Sequence, residues 1–144
     1  MAFPLKNKTN LEPIEDRLER TARLARRALD TPLAMISWFD PTNGVHQVSS
    51  EGETTVFLGD AQISQLAHDI VDHIVARKQL WVVSDARENP ILNQTLAVKQ
   101  SGVVSCISVP IRNTQEDRIL GALSCVSFTP RAWTEEDEQV LAHL

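Results

Sequence analysis

Two cysteines and four histidines are the side chains of this 144-residue chain best suited to redox, nucleophilic or metal chemistry. Cys106 and Cys125 fall in adjacent apolar segments joined by a short polar link, a pattern typical of a β-hairpin. Symmetric pairing, in which facing positions sum to about 231, predicts both thiols on one face. Such a pair could act as a redox switch or a soft-metal site. We favour two buried fillers, because free cysteine is often buried and neither thiol has a neighbouring cation in sequence to lower its pKa.

The histidines do not predict a metal centre. Only His68 and His73 share a predicted element, and a five-residue spacing separates them by about 140° around a helix. His68 lies at the edge of the apolar stripe of that helix. We expect it to bond the backbone or Asp72 four residues on, with contact to a ligand as the alternative.

Asp85 and Asn89 follow a short predicted strand, in a loop that also contains Pro90. Both residue types commonly accept hydrogen bonds from nearby backbone N–H groups, so loop capping is the favoured role for Asp85. Ligand recognition is the alternative. The chain contains no phosphate-binding glycine loop, no His-Glu-x-x-His and no Cys-x-x-Cys.

Composition limits the classes of function. Hydrophobic residues make up 42% of the chain and charged residues 23%, with a net charge of −5, which predicts one folded domain and excludes a disordered polyelectrolyte. Without a basic surplus, nucleic acid is not an expected partner. The chain has no secretory signal and no apolar run of about 20 residues, so a membrane is not an expected partner either. We expect a cytoplasmic protein with reduced thiols.

Hydrophobic periodicity predicts an ordered series of elements. Helices are expected at 13–30, 61–77, near 91–100 and from Thr134 onward. Strands are expected at 33–40, 45–52, 80–84, 103–111 and 118–128, with a turn at 40–44. Antiparallel hairpins mixed with helices indicate an α+β sandwich.

The chain ends on an apolar residue, Leu144, inside the last predicted helix and without a helix stop signal. We expect an N-terminal arm at 1–12 and one domain at 13–144. The last helix is expected to continue into a further domain.

Six segments, in order, resemble the GAF domain family. They are Pro-Leu-Ala-Met-Ile-Ser (32–37), Ser-Gln-Leu-Ala-His-Asp-Ile-Val (64–71), VVSDARENPIL (82–92), Ser-Val-Pro-Ile (108–111), Ile-Leu-Gly-Ala-Leu-Ser-Cys-Val (119–126) and Pro-Arg-Ala-Trp-Thr-Glu-Glu-Asp (130–137). The resemblance implies a six-stranded antiparallel sheet of the α+β, PAS-related kind. The first and last helices would lie on one face. Shorter helices and loops on the other often enclose a small-molecule pocket.

The resemblance also implies a noncatalytic sensory or dimerising module of a signal-transduction protein, joined by a continuous helix to a downstream effector domain. His68, Asp85, Asn89 and Cys106 are the candidate ligand-binding residues, and homodimerisation through the first and last helices is expected. No particular cofactor is indicated. The alternatives are a redox enzyme that reduces free methionine sulfoxide, and a ligand-free dimerisation scaffold. A cavity of a few hundred Å³ with polar groups would favour ligand binding over a scaffold.

Overall fold

A computed structural model describes residues 14–40, 44–52, 60–113, 115 and 118–144. Its helices are α1 (Ile14–Leu29), α2 (Asp60–Arg77), α3 (Leu96–Lys99) and α4 (Glu135–Ala142). Its strands are β1 (Leu33–Asp40), β2 (Gly44–Gly52), β3 (Trp81–Val83), β4 (Ser105–Asn113) and β5 (Arg118–Ser127). The predicted arm at 1–12 and the centre of the predicted turn at 40–44 lie outside the described residues.

The five described strands form one sheet in the order β2-β1-β5-β4-β3, and every neighbouring pair is antiparallel. The α+β antiparallel fold is therefore confirmed. The resemblance implied six strands, whereas the described ranges contain five. Within those ranges, no helix is both long and apolar enough to cross a bilayer.

Each face of the sheet carries its own apolar core. On one face, Ala34, Ile36, Ile107 and Leu123 pack with buried residues of α1 and with Leu141 of α4. On the opposite face, the sheet packs against α2 and the 86–97 segment. The first and last helices thus share one side, as the resemblance implied. Burial on both sides explains why β1, β4 and β5 are apolar without alternation.

The two cysteines lie on opposite faces of the sheet, so the expectation of one shared face is wrong. Cys106 pairs with Val126, and Cys125 pairs with Ile107. Arg112 faces Ile119 but Ile111 faces Gly121, so β5 carries one extra residue, Leu120. Because side chains alternate between faces, this bulge moves every later residue of β5 to the other side. Cys106 consequently faces α2, and Cys125 faces α1 and α4.

The helix expected near 91–100 is present only in part. The segment forms a 3₁₀ turn at Leu92–Gln94 and then the single-turn helix α3. Thr95 separates them, because its hydroxyl donates to the Leu92 carbonyl at 2.8 Å and accepts from the Val98 N–H at 3.3 Å. A threonine that caps a new helix in this way ends the preceding turn.

The end of α1 gives a testable prediction. Asp30 has a φ of 52°, and the Thr31 N–H reaches back to the Arg26 carbonyl at 3.0 Å, which is the bond that closes a Schellman cap. Glycine adopts this left-handed conformation without the Cβ penalty. Asp30→Gly is therefore expected to raise the free energy of unfolding by about 0.5–1 kcal/mol, measured by urea denaturation. Asp30→Ala, which keeps the penalty, should show no gain; equal stability of the two variants would contradict the account.

Candidate functional site

His68 lies on the exposed side of α2. Its side chain is 56% exposed, and Nε2 is 3.2 Å from Oδ2 of Asp72, one turn along the helix. This is the contact predicted from the four-residue spacing. The same helix carries His73, whose ring stacks on Trp81 with centroids 3.9 Å apart. Partial burial, and then the charge of Arg77, lower the pKa of His73.

Asp85 and Asn89 organise the loop that follows β3. Asp85 accepts the Arg87 N–H at 3.0 Å and binds its guanidinium through both carboxylate oxygens, at 2.9 and 2.7 Å. The hydrogen bonds from Arg87 lower the pKa of Asp85. The side chain of Asn89 accepts the N–H groups of Ile91 and Leu92 at 2.9 and 3.1 Å. The predicted capping role of Asp85 is confirmed, and both oxygens serve the loop itself.

Cys106 is fully buried beneath α2, next to Val83 of β3 in the sheet register. Burial raises the pKa of both Cys106 and Cys125 to about 12, and both thiols are free. They are buried fillers, as favoured from the sequence. Within the described part of the chain, no hydrogen bond joins His68, Asp85, Asn89 and Cys106 into one site.

These thiols are expected to be inert in the native protein. With a pKa of about 12, only about one thiol in 10⁴ is ionised at pH 8, and the thiolate is the reactive form. Titration with an aromatic disulfide reagent should therefore detect no fast-reacting thiol in buffer and two in denaturant. One rapidly modified cysteine in the folded protein would contradict this prediction and would favour the reductase alternative.

A cleft opens where the C-terminal end of α2 meets the β4–β5 hairpin. It has a volume of about 250 Å³, and its lining residues are Val75, Lys78, Arg112, Arg118 and Ile119. Arg112 and Ile119 face each other across the hairpin, on the side of the sheet that packs against α2. Three basic side chains thus surround an opening whose apolar wall comes from both α2 and β5.

Behind this cleft, the same face of the sheet is built from small and polar side chains. The next cross-strand row is Pro110, Ala122 and Ser37, and the row after it includes Ser108 and Ser124. The hydroxyls of Ser108 and Ser124 lie 2.8 Å apart and bond each other. The Ser37 hydroxyl is fully buried and has no hydrogen-bond partner among the described residues. An unpaired buried hydroxyl is costly, so Ser37 lowers the stability of this face of the sheet.

The segment before α4 ties that helix to the loop after β3. The indole N–H of Trp133 donates to the Val83 carbonyl at 3.2 Å, and the Arg131 N–H donates to the Ser84 carbonyl at 3.2 Å. The Arg131 guanidinium lies 4.3 Å from the centre of the Trp133 ring. These contacts fix the entry of the last helix against β3 and the residue that follows it.

The cap of α4 completes this connection. Thr134 and Asp137 form a reciprocal capping box, with each side chain bonded to the backbone N–H of the other. The first turn of α4 thus begins directly after Trp133, whose indole bonds β3.

The GAF domain family profile matches residues 13–144, which is nearly the whole chain. The chain belongs to the GAF domain family. No protein of curated function matches it by sequence. Among the described residues, no group of three His, Cys, Asp or Glu side chains could hold a metal ion in this GAF domain.

Solved structures share the GAF fold at low identity. The GAF domain of the cyanobacteriochrome TePixJ has a TM-score of 0.72 at 14% identity, covering 98% of this chain and 89% of that one. The GAF domain of an Acinetobacter phosphoenolpyruvate-protein phosphotransferase has a TM-score of 0.72 at 17% identity, covering 92% and 77%. The photoproduct state of a GAF domain from Synechocystis sp. PCC6803 has a TM-score of 0.70 at 12% identity, covering 91% and 87%.

Sequence reasoning did not find the basic cleft of this GAF domain. None of the four predicted ligand-binding residues lines it, and Lys78 and Arg112 lie 34 positions apart in the chain. A partial signal was present, because Arg112 and Arg118 stand at the two ends of the predicted hairpin link. Their convergence with the end of α2 depends on tertiary packing.

Proposed function

We propose that this GAF domain is a noncatalytic sensory module, which binds a small molecule on the α2 side of its sheet and transmits occupancy to α4. One observation carries the proposal. The cleft, which has polar groups, and the segment that holds α4 both contact the same sheet. The cleft volume of about 250 Å³ supports ligand binding over a ligand-free scaffold.

The transmission route runs through β3. Cys106 and Val83 are neighbours in the β3–β4 register, and the Val83 carbonyl accepts the indole N–H of Trp133. A ligand that shifts α2 or the 85–95 loop therefore acts on a strand that is bonded to the entry of α4. The shift is limited by the difference in ligand affinity between the two arrangements.

The output belongs to a downstream effector domain of a cytoplasmic signalling protein, joined through α4. We propose homodimerisation through the face that α1 and α4 share. Leu24 on α1 is 51% exposed and Val140 on α4 is 37% exposed, and apolar side chains at these positions support a helical interface. The cyanobacteriochrome GAF domain of similar fold is consistent with a sensory role.

Two sets of measurements test the sensory function. Pools of small metabolites are screened for a rise in Tm, and hydrogen exchange is then measured with and without each hit. We expect at least one hit to slow exchange in α2 and in 85–95, and to change exchange in 135–142. Trp133→Phe, which keeps an aromatic side chain but removes the indole N–H, should retain binding and lose the change in 135–142. Absence of any hit would contradict sensing and favour the scaffold.

A further inference from the structure

The cleft at the end of α2 concentrates positive charge in an acidic protein. Lys78, Arg112 and Arg118 line one opening, although the chain as a whole carries a net charge of −5. These cations come from three separate elements, so the fold brings them together.

The backbone of Lys78 brings two of these residues together. Lys78 directly follows α2 in the left-handed region, at a φ of 57°, and its N–H donates to the Ile74 carbonyl at 2.7 Å. Its own carbonyl accepts a hydrogen bond from Nη2 of Arg112 at 3.0 Å. A guanidinium has five N–H donors, so this bond orients Arg112 and uses only one of them.

The size and wall of the cleft restrict the ligand. About 250 Å³ corresponds to about eight water molecules, less than a drug-sized pocket. Val75 and Ile119 give the cleft an apolar wall, which suits a short hydrocarbon portion. Guanidinium groups bind the oxygens of carboxylates and phosphates in pairs, and Lys adds a point charge.

We infer that this cleft binds a small organic oxyanion, whose carboxylate or phosphate group lies between Lys78 and Arg112 and whose short carbon chain contacts Val75 and Ile119. The inference deepens the proposed function and rests on it, because it names the class of ligand. The bound anion would join the end of α2 to the β4–β5 hairpin through side chains on both.

The test uses succinate and a phosphate monoester of similar size as probes, with the neutral diamide succinamide as the matched control. Binding is measured by calorimetry and by the chemical shifts of the arginine side chains, at constant ionic strength. We expect the oxyanions to bind, succinamide to bind at least about tenfold more weakly, and affinity to fall with added salt. The relative affinities of the two oxyanions identify carboxylate or phosphate as the better group.

Variants locate the site. Arg112→Gln should weaken binding at least about tenfold, and Lys78→Gln should weaken it by a similar factor while keeping the backbone carbonyl that accepts from Arg112. Lys99→Gln removes one positive charge elsewhere, where Nζ bonds Gln94 at 3.1 Å, and should leave affinity within about twofold. Folding of each variant is checked by its Tm.

The outcomes separate this inference from the sensory function. Equal binding of succinamide and succinate, no binding of either oxyanion, or equal loss in all three variants would overturn the oxyanion inference. A non-anionic hit that changes exchange in 135–142 would then leave sensing intact. Oxyanion binding that depends on Lys78 and Arg112 but leaves 135–142 unchanged would support the site and contradict transmission to α4.

Discussion

Gly121→Ala is expected to lower the free energy of unfolding by about 3 kcal/mol or more, measured by urea denaturation. Gly121 lies opposite Trp38 of β1 and Ile111 of β4, directly after the bulge at Leu120. A Cβ atom at this position would overlap the Ser37 carbonyl oxygen and would lie 2.9 Å from Cα of Trp38. Both are backbone atoms of a central strand, so β1 and β5 would have to separate.

Gly102→Ala is the matched control for this prediction. Gly102 has a φ of 78°, but an added Cβ would meet only the Phe128 ring, at 4.0 Å. Its cost should be the conformational penalty alone, about 1 kcal/mol. The difference between the two variants therefore measures the close approach of β1 to β5. Equal destabilisation by both substitutions would show that this approach is not a strong constraint.

The elements of the fold could be predicted from the sequence because their signals are local. The spacing of apolar residues predicted a helix at 13–30, and α1 is observed at Ile14–Leu29. It also predicted a helix at 61–77, and α2 is observed at Asp60–Arg77. The start of the last helix at Thr134 could be predicted for the same reason, and its Thr134–Asp137 capping box spans only four residues. Local chemistry likewise predicted the capping role of Asp85.

The register of the β4–β5 hairpin could not be predicted in the same way. Leu120 is an ordinary strand residue, and nothing in its type indicates a bulge. One inserted residue nevertheless moves Cys125 from the face of Cys106 to the opposite one. The redox and soft-metal options for the two thiols depended on that single position.

The basic cleft could not be predicted from the sequence, for a different reason. Its cations belong to the end of α2 and to both strands of the hairpin, and each alone resembles a solvated surface charge. The packing of α2 against the hairpin sets the distances between these cations. The bond between Arg112 and the Lys78 carbonyl is part of that packing. Distances across such contacts are not encoded in periodicity.

Leu141→Ala is expected to detach α4 while the sheet stays folded. Leu141 is fully buried among residues of α1 and the sheet, and it is the one residue of α4 that is fully buried. Truncation of a buried leucine costs about 2–5 kcal/mol, and an eight-residue helix is marginal without tertiary packing. Amide exchange in 135–142 should therefore accelerate by about 30-fold or more, measured by mass spectrometry.

Val140→Ala is the control, because Val140 is the neighbouring apolar residue and is 37% exposed. Its truncation should accelerate exchange in 135–142 by less than about fivefold. Similar acceleration in both variants, or a loss of protection that extends through β4 and β5, would contradict local release. The attachment of α4 thus combines one fully buried side chain, Leu141, with the bonds that Trp133 and Arg131 make to the backbone carbonyls of Val83 and Ser84. Under the proposed coupling, a ligand at the cleft shifts α4 only by as much as its affinity differs between two arrangements of that helix, and a tenfold difference in affinity corresponds to about 1.4 kcal/mol.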